Sequence, residues 1–243
     1  FIERHELWTD DQVRFAEQVK RRVEVDGINL VRLAWADPHG ASRAKTVSVS
    51  AFLKALKDGY NINVATTTLD AAGGRVFASF TKGGGMGLPE MTGSPNLTIV
   101  PDPFTFRQLP WATGVGWILC DQYFDSGQPF HFAPRQILKK QIERLTDKET
   151  SLIVGLEIEW YLERVEEDRL YDANIAEPGI RAVPIRTSSI EPGFSYHLET
   201  TFDLMQPVIS ELADTYDKLN LPLRSFENEW GPGQLECTFS AGE

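Results

Sequence analysis

Glu229-Trp230-Gly231-Pro232-Gly233-Gln234-Leu235-Glu236, close to the end of the chain, decides how the rest is read, together with Glu157-Ile158-Glu159. In the run Val154-Gly155-Leu156-Glu157-Ile158-Glu159-Trp160-Tyr161-Leu162 the two glutamates stand two apart, so on a strand both project from one face. Like charges side by side repel unless a cation lies between them. Glu229 and Glu236 flank a Gly-Pro-Gly turn whose glycines reach backbone conformations closed to other residues, so the two acids can be folded back toward one site. Gln234 adds a neutral donor and acceptor. Each pair alone also fits a solvated strand face, or an ordinary tight connection with exposed acids at its ends. Together they offer the cluster of oxygens that Mg²⁺ or Mn²⁺ requires, and the chain reads as a metal-dependent enzyme.

Upstream of Glu229 a strand is expected, preceded by a helix from about Phe202 to Leu219 with Leu204, Val208, Leu212, Tyr216 and Leu219 at helical spacing. Ser151 to Leu162 is the strand of the paired glutamates, and Pro134 opens a helix at its first position. Gly116 to Asp121 is a further strand. Pro101, Pro103 and Pro110 break any regular element between them, which places a domain border near residue 105. Before it, Thr9 caps a helix with Gln12 three residues on, and Phe15, Val19 and Val23 line one face until Gly27 ends it. Val31, Leu33 and Trp35 alternate along a strand that turns at Asp37-Pro38-His39-Gly40 into Lys45 to Val49, a hairpin pattern. A short helix from Ser50 to Lys57, a strand from Ile62 to Thr66, a glycine-rich loop from Lys82 to Gly87 and a strand ending at Val100 follow. The mixture predicts a small α+β domain over 1–105 and a second domain over 106–243.

At 243 residues and 42% hydrophobic content the chain can bury a sizeable core. Its 35 acidic against 24 basic residues give a formal charge of −11, which opposes binding to nucleic acid or to an anionic membrane surface. No apolar run is long enough to span a bilayer and no charged-then-apolar leader precedes the first helix, so the cytoplasm is the simplest address. Cys120 and Cys237 lie in apolar strand-like surroundings and read as buried free thiols. Opening at Phe1 and stopping just after a strand-like run is what a piece of a longer protein would show. His5, His39, His131 and His197 show no ligand spacing and carry no expected role. Tyr196, in the loop Pro192-Gly193-Phe194-Ser195-Tyr196, reads either as the lining of a ligand pocket or as half-buried packing. Lys82-Gly83-Gly84-Gly85-Met86-Gly87 lacks the Lys-Ser/Thr and the helix start of a phosphate loop and reads as a flexible loop.

The motifs together resemble the glutamine synthetase superfamily, whose members join glutamate to ammonia or an amine with ATP. Trp35-Ala36-Asp37-Pro38-His39-Gly40, Val100-Pro101-Asp102-Pro103 and Leu109-Pro110-Trp111 are similar to the family's N-terminal β-grasp domain. Pro134-Arg135, Gly155-Leu156-Glu157-Ile158-Glu159 and the segment from Glu229 to Glu236 are similar to the beginning of its catalytic domain, a curved antiparallel sheet with helices. The resemblance implies that Glu159, Glu229 and Glu236 are ligands of one metal site and Glu157 of a second, that Asp203 begins the intervening helix, and that Tyr196 helps bind the amine. It implies ATP and Mg²⁺ or Mn²⁺ as cofactors, and transfer of the terminal phosphoryl group to the γ-carboxylate of glutamate. The acyl phosphate would then be attacked by an amine that Glu229 orients or deprotonates. It also implies a ring-shaped homo-oligomer with sites built between subunits, and family elements that follow later than residue 243.

The chain departs from that pattern in three places. Glu227-Asn228 stands where the family commonly has a pair of histidines, and Arg224 where many members carry an acid near the nucleotide. Between Arg75 and Leu88 there is no Asp or Glu, whereas ammonia-using members present an acid there to hold and deprotonate ammonium. A loop offering Phe77, Phe80 and Met86 instead suits an apolar or aromatic amine. The expected function is therefore a γ-glutamylamide synthetase. A glutamine synthetase with a divergent ammonium loop and a non-catalytic structural relative are the alternatives.

Overall fold

The computed structural model describes residues 1–76, 78, 80–167 and 169–242, and divides the chain into two compact units, Phe1–Lys148 and Glu149–Glu243. Phe77, one of the three side chains expected to give the glycine-rich region an apolar surface, lies outside the described residues.

The first unit opens with helix α1 (Asp10–Val25), started by the capping box expected of Thr9 and Gln12. Strands β1 (Leu30–Ala36) and β2 (Ser42–Ser48) form the antiparallel hairpin. Its turn is fixed by the buried carboxylate of Asp37, which accepts from the N–H groups of His39 and Ala41 at 2.9 Å and pairs with Arg43 at 2.8 Å. Helix α2 (Val49–Asp58) follows, capped by Ser48, and then β3 (Tyr60–Asn63). The strand expected to reach Thr66 stops at Asn63, whose side chain accepts from Ala65 N–H and starts a 3₁₀ turn. Strands β4 (Asn96–Pro101), β5 (Arg107–Gln108) and β6 (Val115–Tyr123) and helix α3 (Pro134–Thr146) complete the unit. Six strands form one sheet in the order β2-β1-β6-β4-β3, with β5 on β6, and β1 runs parallel to β6 while the other pairs are antiparallel. Val31, Leu33 and Trp35 face a core shared with Val19, Val23, Phe52, Leu56, Leu97, Ile99 and Ile118. Full burial of each large apolar side chain stabilises the fold by about 1.5–3 kcal/mol.

The two compact units meet between 148 and 149, while the expected border lies near residue 105. The prolines do end β4, but Asp102 between them is a buried anchor. Its backbone N–H donates to Leu119, and its side chain accepts from Gln12 and Phe104 N–H and pairs with Arg135. Arg135 also binds Asp121, as does Lys139, so two buried acids receive compensating charge from α3. The strand expected at Gly116 to Asp121 thus lies in the middle of the first unit's sheet.

In the second unit β7 (Val154–Tyr161) is followed by a two-stranded ribbon of β8 (Glu163–Val165) and β9 (Thr187–Ser189), helix α4 (Glu199–Lys218), β10 (Leu223–Asn228) and β11 (Gln234–Gly242). β11 lies between β10 and β7, all antiparallel. The helix expected from Phe202 to Leu219 forms, but its buried face is Thr201, Met205 and Ile209, and Leu204 is 62% exposed. Met205, Ile209 and Leu235 make a small core with Trp160, Phe202 and Phe226. Both cysteines are buried and free, as their surroundings suggest. Among the described residues no helix is long and apolar enough to cross a membrane.

Candidate metal centre

Strand register brings the acids together. Glu236 on β11 stands opposite Glu159 on β7 and opposite Glu227 on β10, and one row along Thr238 stands opposite Glu157. Because side chains alternate and directly paired residues share a face, Glu157, Glu159, Glu227 and Glu236 project from one side of the three-stranded sheet. The residues between them, Trp160, Leu235 and Phe226, turn to the other side and join the core with α4. The apolar alternation that gives α4 something to pack on is therefore also what aligns the acids.

Glu236 is the most enclosed of the set, 8% exposed, and its side chain has no hydrogen bond or ion pair among the described residues. Burial pushes its carboxyl up from the ordinary value, and the neighbouring Glu157, Glu227, Glu229 and Glu159 push it further the same way. Like charges directly opposite one another destabilise a sheet. Acids gathered on one face in this way suit a hard divalent cation, although the ligand atoms that lie within 4.8 Å of one another among the described residues are those of His197, Glu227 and Glu229.

The turn beyond β10 is fastened from below. Gly233 has φ +70°, and a Cβ there would come within 2.5 Å of the Leu162 carbonyl oxygen, so this position requires glycine. Gln234 accepts from Gly231 N–H at 2.8 Å with its amide oxygen and donates from its amide nitrogen to Glu159, which ties the turn to β7. Glu191, 6% exposed, accepts from Gly233 N–H, from Gly193 N–H at 2.8 Å and from the Ser195 hydroxyl at 3.0 Å. Burial alone would raise its carboxyl, and these hydrogen bonds more than reverse that, holding it below the ordinary glutamate value.

Glu191 thereby joins the turn to the loop that carries Tyr196. Phe194 N–H donates to the Trp230 carbonyl at 2.9 Å and His197 N–H to the Asn228 carbonyl at 3.1 Å, so the loop runs alongside residues 228–230. The Tyr196 ring lies between two others: Trp230 at 4.8 Å with an interplanar angle of 2°, and His197 at 4.0 Å and 19°. Tyr196 is 44% exposed, so it presents an edge to solvent. Of the two readings of its loop, the structure shows a ring that packs on its neighbours and still borders an open surface.

All four acids singled out in the sequence lie in this region: three on the sheet face, with Glu229 just past β10 and its N–H donating to the Gln234 carbonyl at 3.0 Å. His197 was not expected here, and Glu227 was expected only as a departure from the family's histidine pair. His197 Nε2 stands 3.3 Å from Glu227 Oε2, and one ligand atom from each of His197, Glu227 and Glu229 lie within 4.8 Å of one another. The signal for Glu227 was present, since it precedes Glu229 at the same two-residue spacing as Glu157 and Glu159. For His197 no local spacing exists, because a loop rather than a periodic element delivers it. A cleft of about 530 Å³ opens beside the acids, lined by Glu157, Arg224, Ser225, Glu227 and Thr238 among others, so Arg224 brings a positive charge to its wall.

Residues 131–243 match the model of the glutamine synthetase catalytic domain. The gamma-glutamylanilide synthase of an Acinetobacter species is 37% identical over 246 residues, which cover all of this chain and 49% of that protein. The glutamate–isopropylamine ligase of a Pseudomonas species is 28% identical over 224 residues, covering 90% of this chain and 45% of that protein. A solved structure described as a GmaS/ADP complex superimposes with a TM-score of 0.67 at 22% identity, over 92% of this chain and 44% of that one, a likeness of fold. The chain spans about half the length of the curated relatives it matches.

Proposed function

We propose, from the match of residues 131–243 to the glutamine synthetase catalytic domain, that the protein is an ATP-dependent carbon–nitrogen ligase of that family that joins the γ-carboxylate of glutamate to an organic amine. The observation that carries the reading is the register that sets Glu236 opposite both Glu159 and Glu227, so that like charges share one face of the sheet. Such an arrangement is costly unless a cation completes it. Glu157, Glu159, Glu229 and Glu236 would hold Mg²⁺ or Mn²⁺, and the bound ions would supply charge neutralisation for the phosphates of ATP.

The chain's own groups then have defined tasks. The γ-carboxylate of glutamate attacks the terminal phosphorus of ATP, releasing ADP and leaving a γ-glutamyl phosphate. The amine nitrogen adds to the acyl carbon and inorganic phosphate departs. Glu229 accepts the proton that the amine loses, and Tyr196, held in place by the rings on either side, orients the amine. An organic amine is favoured over ammonia because no acid lies between Arg75 and Leu88, and because the relatives at 37% and 28% identity are named for anilide and isopropylamide synthesis. Phe80 and Met86, 72% and 43% exposed, offer apolar surface in that segment.

The same reading takes the first unit as a β-grasp domain, supported by its sheet order and its parallel β1–β6 pair. It takes the whole protein as a cytoplasmic, ring-shaped homo-oligomer. The test is phosphate release from ATP by the full-length protein with Mg²⁺ and glutamate, measured against ammonia and a panel of alkyl, aromatic and polyamines. Strong stimulation by one class of organic amine is expected. Stimulation by ammonia alone would make it a glutamine synthetase, and silence throughout a non-catalytic relative.

A further inference from the structure

We propose that Trp230 is a specificity-determining residue, whose open ring face stacks on the ring of an aromatic amine and so selects arylamines over alkylamines. The proposal rests on the ligase reading and deepens it, since it names the class of amine and the side chain that recognises it. The rings at this place form a column. His197, Tyr196 and Trp230 follow one another at centroid distances of 4.0 and 4.8 Å, and the planes of Tyr196 and Trp230 are within 2° of parallel. Tyr196, packed on both faces, has only its edge to offer. Trp230 ends the column: it is 58% exposed, and its ring meets no other aromatic ring among the described residues. Tryptophan is on average one of the more buried side chains, so an indole left this open stands out. Phe194, whose N–H donates to the Trp230 carbonyl at 2.9 Å, is exposed as well and extends the same aromatic surface. Contiguous exposed apolar surface of this kind marks places where ligands bind.

The turn that carries the indole is rigid, and it sets Trp230 directly after Glu229, the group that takes the amine's proton on the ligase reading. The backbone is pinned on either side of it: Glu229 N–H donates to the Gln234 carbonyl at 3.0 Å, and Gly231 N–H to the Gln234 amide oxygen at 2.8 Å. A platform held in place before binding loses little freedom when a ligand arrives, so its contact goes into affinity. A flat ring continues a column of parallel planes over its whole face, whereas a puckered aliphatic group touches it at a few atoms. The charge of the amine points the same way. An arylamine shares its lone pair with the ring and is neutral at pH 7, whereas an alkylamine arrives as a cation that needs an anion to hold it. The segment between Arg75 and Leu88 carries no Asp or Glu to supply one.

The test compares aniline with cyclohexylamine, alike in size and different in aromaticity, in the full-length protein and its Trp230→Ala and Trp230→Phe variants. KM for each amine is read from phosphate release with ATP, Mg²⁺ and glutamate. Any loosening of Tyr196 affects both amines alike, so the ratio of the two KM values isolates the stacked ring. In Trp230→Ala the KM for aniline should rise by about 2–12-fold more than that for cyclohexylamine, and Trp230→Phe, which keeps a ring, should restore most of the preference. Saturation-transfer NMR from the protein to the ring protons of aniline reads the same contact without turnover. Transfer is expected in the wild type and should be at least about 2-fold weaker in Trp230→Ala. Circular dichroism of both variants guards against loss of fold. Absence of phosphate release with every amine, beside transfer that still depends on Trp230, would sink the ligase reading and leave the aromatic contact standing. Turnover of cyclohexylamine without aniline, a rise for cyclohexylamine as large as that for aniline, as a cation held over the indole would give, or transfer that Trp230→Ala leaves unchanged would overturn the proposal.

Discussion

The buried carboxylate of Glu191 accepts a hydrogen bond from the backbone N–H of Gly233, and so couples the loop bearing Tyr196 to the turn between Glu229 and Glu236. Glu191→Gln keeps the size and removes the charge. A charge-assisted acceptor of several bonds is worth more than a neutral one, and the substitution should cost about 2 kcal/mol in urea unfolding at neutral pH. Because the folded carboxyl is held below the usual 4.5, its contribution is complete above that value and is lost as pH falls through the folded one. The gap between wild type and variant should therefore be full near neutrality and close in acid.

Glu236→Gln should act in the opposite sense. It removes one charge from a ring of five, so the metal-free protein should melt about 2–4 °C higher, the shift that about 1 kcal/mol produces in a chain of this size. The same variant should lack the stabilisation by Mg²⁺ or Mn²⁺ that the proposed site predicts for the wild type. A thermal melt with and without the ion reads both effects, and a variant that is less stable than wild type without metal would contradict the account of the acidic face.

Trp230→Ala removes one side of the Tyr196 stack while leaving the acids in place. An aromatic pair is worth about 0.5–1.5 kcal/mol, so KM for the preferred amine should rise about 2–12-fold with little change in KM for ATP. Steady-state kinetics with each substrate varied in turn separates the two.

Leu235→Ala tests the packing that aligns the acids. Leu235 is fully buried against Met205 and Ile209, and its truncation should destabilise the second unit by about 2–5 kcal/mol. Hydrogen exchange should localise the loss to β10, β11 and α4.

Local signals were legible because local chemistry decides them: the Thr9–Gln12 capping box, Pro134 at its helix start, the Asp37 to Gly40 turn and the alternation that sets Glu157 beside Glu159. On α4 the expected Val208, Leu212, Tyr216 and Leu219 are half-buried, but Leu204 is exposed and its neighbour Met205 is buried instead, a choice made by contact with Leu235 and Ile209. The border expected near 105 rests on local signals alone. Prolines mark where a strand stops, but only the pairing of Asp102 with Gln12 and Arg135, which are remote in sequence, shows that the chain stays within the same body. Glu191 and His197 reach their places through loops, where no periodicity announces a partner.

The place of β6 between β1 and β4 has a consequence for the order of assembly during synthesis. The β1–β2 and β3–β4 pairs both precede β6 in the chain, and in the sheet neither meets the other without it. Leu30 pairs with Val115, so the sheet closes into one body only through a contact of long sequence separation, the kind that slows folding.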